Sequence, residues 1–303
     1  MATQLHQTTE FCTAQTLVDL VDADCAAMGA RENAEDIPWT EDTSDHAIVA
    51  ATIGAFHIAS WNVASDAWAE YFRPAIDPAT GEDMSQRLSR QPFATPSEAR
   101  HVTQARRILQ MVTGGVIVCL QEASSQLVDF VGAASVALDI PTPVMIITNR
   151  SESGADDFHV TIWDPNLYEI SLEVDHHPPS CDMVHGNSIV VLKAVAAGGS
   201  SISFANVHVD FKGNEKLADS AISLVDQLGH DVYFVGDFNV SCRSATVNLR
   251  ADHITAHYSD SRRFSFAVPS PGSAITGVNA FRNTGSTALM LDRLDHIMRV
   301  ASI

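Results

Sequence analysis

The chain has 303 residues, a formal net charge of −19 and an apolar share of 46 %. That is enough for one large domain or two small ones around a sizeable core, and no apolar run approaches the length of a membrane span. The five cysteines (Cys12, Cys25, Cys119, Cys181, Cys242) are scattered with no CxxC pair, which excludes a disulfide framework and a cysteine-built zinc site.

Residues 1–43 are polar and acidic. Within them "TAQTLVDLVDADCAAMG" carries a helical apolar pattern that stops at Gly29, and "RENAEDIPWTEDT" reads as an acidic loop. From Ala47 the pattern changes. "AIVAATI" and "AFHIASW" are strand-length runs with Gly54 between them and predict a hairpin. "PSEARHVTQARRILQMVTGG" predicts a helix opened by Pro96 and closed by Gly114 and Gly115. "VIVCLQE", "DFHVTIWDP", "NSIVVLKAV" and "SISFANVHVDF" follow as strands. "GNEKLADSAISLVDQLG" is an amphipathic helix ending at Gly229. "DVYFVGDFN" and "MLDRLDHIMRV" close the series as strands. Strands alternate with helices but hairpin-like pairs are frequent, so the expected class is α+β, with mixed, mainly antiparallel sheets covered by helices. No internal repeat or linker is visible. The expected division is an N-terminal extension, 1–43, and one domain, 44–303.

Polar residues stand at the ends of the apolar strands: Asp45 and His46, Asn62, Glu122, His208, Asp237 and Asn239, and Asp295. A strand that buries its body delivers its last side chain to a rim, where sites collect. Carboxylate and amide oxygens suit a hard cation such as Mg²⁺; histidines can donate to a phosphate oxygen; an aspartate can take a proton from water. Singly these signals are weak. Glu122 also reads as a plain strand terminus, His208 as a satisfied core histidine, and His176, His177 and His185 as loop surface.

Their order is far more specific. "SWNV", "CLQEAS", "NVHVDF", "VGDFNV" and "RLDHIM" resemble, in sequence, the motifs of the endonuclease/exonuclease/phosphatase superfamily. That superfamily includes pancreatic-type deoxyribonuclease, AP endonucleases, poly(A) deadenylases, sphingomyelinases and inositol-polyphosphate phosphatases. The resemblance spans residues 44–303 and implies a four-layered α/β/β/α sandwich of two mixed sheets. The superfamily's closing motif, Ser-Asp-His before an apolar strand, is missing after "RLDHIM" and stands instead at "SDHAIVAATI", directly ahead of "SWNV". This order implies a circular permutation: the final strand joined to the first through Ile53, Gly54 and Ala55, with new termini opened in an exposed loop.

The resemblance implies roles. Glu122 is the principal Mg²⁺ (or Mn²⁺) ligand, with Asn62 holding metal or positioning water and Asp45 completing the acidic cluster. Asp237 activates the attacking water and Asn239 holds water or phosphate. His46 and His208 contact the scissile phosphate, and Asp295 orients His46. Asn206 and Arg243 are expected to bind substrate, and His296 to be structural. His208 stands where AP endonucleases usually carry Tyr, which argues against that branch. The expected activity is metal-dependent phosphodiester hydrolysis on RNA or single-stranded DNA. A phosphatase or phosphodiesterase acting on a small or lipid-linked phosphate, such as an inositol phosphate, is the alternative, and a non-catalytic scaffold the third. The acidic balance weighs against nucleic acid, because phosphate backbones attract basic surfaces. Arg100, Arg106, Arg107, Arg243, Arg262, Arg263, Arg282 and Arg293 leave room for a local basic rim. Scattered cysteines and an N-terminus without signal-peptide pattern imply an intracellular, cytoplasmic enzyme; no protein partner is legible.

Overall fold

Central strands that are apolar on both faces require cover on both sides, and the chain meets that requirement with four layers. A computed structural model describes residues 44, 46, 48–65, 96–150, 157–178, 188–209, 214–239, 263–266, 277–280, 289–292 and 295–303. The expected N-terminal helix lies outside these residues.

The first sheet comes from one continuous stretch. It contains β1 (Val49–Ile53), β2 (Phe56–Asn62), β3 (Val116–Ala123), β4 (Val144–Arg150) and β5 (Phe158–Trp163), with helices α1 (Pro96–Thr113) and α2 (Ser125–Ala137) between them. The strand order is β1-β2-β3-β5-β4. The β1–β2 hairpin turns on Gly54, whose φ of +59° is a conformation that glycine reaches without steric cost. The second sheet contains β6 (Tyr168–His176), β7 (Ile189–Ala196), β8 (Ser201–His208), β9 (Val232–Asp237), β10 (Phe264–Phe266) and β13 (Asp295–Val300), with α3 (Asn214–Leu228) linking β8 to β9. Its order is β10-β13-β9-β8-β7-β6. Among the described residues, strands β11 (Gly277–Ala280) and β12 (Leu289–Asp292) pair with each other and with no third strand.

Alternation along the strands explains the layering. In β3, Val116, Val118 and Leu120 pack outward with Ile108 and Leu109 of α1 and Leu127 and Val131 of α2. Ile117 and Cys119 point inward, against Leu192, Phe204 and Val235 of the second sheet. On that sheet's outer face, Val191, Ala205, Val207 and Phe234 meet Leu217, Ala221, Leu224 and Val225 of α3. Burial of this kind contributes about 25 cal/mol per Å² of apolar surface removed from water and is the main force holding the layers. It also raises the Cys119 thiol to about 12, so that the thiol stays protonated in the core.

Two sheets, mixed and mainly antiparallel, match the expected class; β2–β3 and β8–β9 are parallel and the other pairs antiparallel. One expected strand needs correction. "MLDRLDHIMRV" is not a single strand: Leu289–Asp292 pairs with β11, whereas Asp295–Val300 enters the second sheet beside β9. Five elements had no counterpart among the expected ones: α2, β4, β6, β10 and β11. Helix α2 has Gly132 and several valines, so its intrinsic propensity is poor. It forms because Ser124 caps it, accepting from the Leu127 N–H at 3.2 Å, and because Leu127, Val131 and Ala134 are buried. The edge strands β4 and β6 are only partly buried and lack a strong apolar alternation.

Candidate active site

The two parallel pairs end at the same edge of the sandwich, and their last side chains meet. Asn62 of β2 lies opposite Gln121 of β3, and His208 of β8 lies opposite Asp237 of β9. Antiparallel β13 begins there too, with Asp295 opposite Asp237. Glu122 follows at a bulge in β3 with φ +57°, and Asn239 follows β9 with φ +51°. Non-glycine residues in this left-handed region are uncommon and concentrate at functional sites. A bulge also re-aims a side chain, here that of Glu122.

Asp237 Oδ2 is the hub. The Asn62 amide donates to it at 3.1 Å and to Glu122 Oε1 at 3.0 Å, tying two carboxylates across the two sheets. His208 Nε2 stands 3.5 Å from the same Oδ2 and His46 Nε2 3.7 Å. His46 Nδ1 pairs with Asp295 Oδ2 at 2.8 Å, which fixes the ring's orientation. Asn239 Nδ2 lies 3.1 Å from His208 Nε2, while the Asn239 N–H donates to Asp237 Oδ1 at 2.7 Å. Asp237 is 1 % exposed. Burial pushes its carboxyl above the usual range and the Asp295 charge adds to that; the His46 and His208 imidazoles and the Asn239 N–H pull the other way without cancelling it.

His46 is brought here by bonds to β2. The Ser44 hydroxyl donates to the Asn62 carbonyl and accepts from the His46 N–H, and Trp61 Nε1 donates to the His46 carbonyl at 3.1 Å. The tripeptides Ser-Asp-His and Ser-Trp-Asn, close in sequence, are therefore tied together through Ser44–Asn62 and His46–Trp61.

A model of the Endonuclease/Exonuclease/phosphatase family matches residues 59–300, a span that contains every one of these groups except Ser44 and His46. The chain belongs to that family. The family's enzymes are divalent-metal-dependent hydrolases of phosphoric esters, and the chain is one of them. A comparison with curated proteins returns no match. Among solved structures, similar chains include an endonuclease/exonuclease/phosphatase from Bacteroides vulgatus (17 % identical, 67 % of this chain and 79 % of that one, TM-score 0.45). Another is D. rerio TDP2 complexed with single strand DNA product (14 %, 69 % and 80 %, 0.47). A third is the human Nocturnin catalytic domain with bound sulfate (10 %, 84 % and 86 %, 0.48).

The family's metal dependence can be tested against the residues present. His46, Asp237 and Asp295 offer donor atoms within 4.8 Å of one another. Asp295 is committed to the His46 ring, however, so this trio reads better as an acid–imidazole–acid chain. Glu122 and Asp237, both oxygen donors drawn together by one amide, suit a hard divalent cation better. Asn62, expected to hold metal or position water, accepts from the Ala64 N–H at 3.0 Å through its Oδ1, while its NH₂ bridges the two carboxylates.

Asn206, expected to bind substrate, lies in the core. It is 1 % exposed between the sheets, where it donates to the carbonyls of Leu120 and Val160 and accepts from Gln121 at 2.7 Å. Its amide joins the layers and does not reach the rim. His296, buried against the Phe238 ring, is structural as expected. Asp45 and Arg243 lie outside the described residues. Of the arginines proposed for a basic rim, Arg100 holds the carbonyls of Val63 and Ala64 beside the site, whereas Arg263 is bound to Asp226 and the Ala301 carbonyl elsewhere. Sequence reasoning missed Gln104, which donates to the Val63 carbonyl at 2.7 Å, although its spacing of four from Arg100 puts both on one helix face. It also missed the buried His159, whose ring lies 6.2 Å from that of His208.

Proposed function

We propose that the protein is a Mg²⁺-dependent phosphodiesterase, a nuclease acting on RNA or single-stranded DNA, built as a circularly permuted member of its family. One observation carries the activity. Two histidines and an amide, from three different strands or strand ends, converge on a single buried oxygen, Asp237 Oδ2.

In this reading Asp237, held above the usual carboxylate range, takes the proton of the attacking water. Asn239 fixes that carboxylate and His208. His46, steadied by Asp295, and His208 donate to the non-bridging oxygens as charge develops on phosphorus. Glu122 and Asp237, with Asp45 as the third candidate, would hold the cation. When bound, the cation supplies Lewis-acid stabilisation of the phosphoryl oxygens.

The preference for single strands is supported by depth. His46, His208 and Asp237 are 8 %, 4 % and 1 % exposed, and a flexible strand enters a recess more readily than a rigid duplex. A small or lipid-linked phosphate is the second reading, favoured by the net charge of −19. The permutation is supported by the position of His46. The family match begins at residue 59, inside β2, yet the histidine that pairs with Asp295 is contributed from before β1. Residues 44–303 then form the catalytic unit and 1–43 an extension.

The test is hydrolysis of labelled single-stranded RNA, single-stranded DNA and duplex DNA with Mg²⁺, Mn²⁺ or a chelator. Cleavage should need the metal and fall by about 100- to 10,000-fold in folded Asp237→Ala and His46→Ala variants. Retained turnover in both variants would sink the assignment. Intact polymers with hydrolysis of small phosphoesters would select the second reading.

A further inference from the structure

Arg100 and Gln104, one turn apart on α1, both reach the chain where it leaves β2. Two peptide planes make up this exit, and each is held at both ends. In the first, the Val63 carbonyl accepts from Gln104 Nε2 at 2.7 Å and Arg100 Nη1 at 3.2 Å, while the Ala64 N–H donates to Asn62 Oδ1 at 3.0 Å. In the second, the Ala64 carbonyl accepts from the same Nη1, and the Ser65 N–H donates to Glu122 Oε2 at 2.9 Å. Ala64 between them takes φ +54°. A non-glycine residue is strained in that region and stays only where its surroundings fix it from several sides.

We propose that Arg100 and Gln104 are positioning residues for Glu122, acting on that carboxylate through the backbone of residues 63–65. The proposal rests on the metal-dependent reading above, in which Glu122 holds the cation. A planar trans peptide points its C=O and its N–H in opposite directions, so whatever holds the oxygen aims the hydrogen. Arg100 on the Ala64 carbonyl therefore aims the Ser65 N–H at Glu122 Oε2. Gln104 on the Val63 carbonyl aims the Ala64 N–H at Asn62 Oδ1, which turns the Asn62 amide onto Glu122 Oε1 at 3.0 Å. Both oxygens of one carboxylate are thus set from α1. The guanidinium charge also polarises the second peptide in the sense that strengthens its N–H as a donor.

The experiment is calorimetric titration of Mg²⁺ alone into the full chain and its Arg100→Met, Gln104→Met and Val112→Ala variants, with thermal unfolding of each in chelator. Methionine keeps aliphatic bulk and removes the donors. Val112 is buried on the same helix, about three turns beyond Arg100, so Val112→Ala loosens α1 away from the exit. Arg100→Met should bind Mg²⁺ about tenfold more weakly, as loss of an outer partner does, and Gln104→Met should lose less, because Arg100 still holds the Val63 carbonyl. Val112→Ala should melt at a lower temperature yet keep the wild-type affinity. Unchanged affinity in either folded methionine variant overturns the role of that residue, and Gln104→Met decides alone where Arg100→Met does not fold. A loss in Val112→Ala equal to that in the methionine variants overturns both roles, since any loosening of the helix would then do the same. A wild-type chain that binds no Mg²⁺ brings down the metal-dependent reading and this proposal with it.

Discussion

The two sheets build their halves of the site with the same device. Each has a hairpin (β1–β2 and β7–β8), a crossover helix (α1 and α3) and a parallel partner strand (β3 and β9), followed by two antiparallel strands. Even the closing bond repeats: the Val63 N–H returns to the Gln121 carbonyl at 3.0 Å, and the Val209 N–H to the Asp237 carbonyl at 2.8 Å. The halves differ in what fills the last inward position. In the first sheet it is Gln121, spent on Asn206 inside the core, and the carboxylate comes one residue later, at the bulge. In the second it is Asp237 itself. Glu122 is consequently 14 % exposed and Asp237 1 %. One scaffold thus presents two carboxylates at two depths, and burial raises the deeper one above the usual carboxylate range.

The largest expected break in this comparison is at Gly236, the register equivalent of Leu120. A Cβ at Gly236 would lie 1.8 Å from the Val207 carbonyl oxygen, so Gly236→Ala forces the parallel pair apart. It should cost about 3 kcal/mol, an overpacking penalty, and displace Asp237. Leu120→Ala should cost about 2–5 kcal/mol by the opposite route, a cavity. Denaturant unfolding of both measures this, and a loss below about 1 kcal/mol for Gly236→Ala would show that the second half does not need its glycine.

A smaller effect is expected from moving residues 44–53 behind Ile303 through a flexible linker of about 15 residues. If the hairpin is a permuted arrangement of the family's closing strand, β1 docks on β2 from either end and hydrolysis survives. Folding should slow, because a local pairing becomes a distant one. A folded product with no activity would argue that His46 depends on the tight turn.

The smallest effect lies at the far end of β9, where Asp231 accepts from Arg299 Nε at 2.8 Å and from the Ser302 N–H at 2.9 Å. Partial burial raises the Asp231 carboxyl, but these partners outweigh it and hold it below the usual value. A lowered folded-state value means that the stabilisation is complete above the unfolded value, near 4, and is lost as pH falls through the folded one. At this exposed site Asp231→Asn should cost about 0.5 kcal/mol at pH 7, with the difference vanishing at low pH. A pH-independent difference would assign the effect to packing.

Much of the site was legible because its residues end apolar strands in a fixed order. "SWNV", "CLQEAS", "VGDFNV" and "RLDHIM" marked Asn62, Glu122, Asp237 and Asp295, and Ser-Asp-His ahead of a strand marked His46. Strands with both faces covered read as continuous apolar runs, so β3, β7, β8 and β9 were visible too. The edge strands β4 and β6 were not, since an exposed edge needs no apolar face, and α2 is helical through burial and a cap and not through propensity.

By itself, then, the sequence determined which strands are buried, where each one ends, and which chemical groups stand at those ends. The tertiary structure alone decided how those groups are spent. It made Asn62 a bridge between carboxylates and turned Asn206 inward, and it set Arg100 and Gln104 on the carbonyls that follow β2. These outcomes depend on which partner atom comes within about 3 Å. That distance is set by packing two sheets against each other, across separations in the chain that local propensity does not encode.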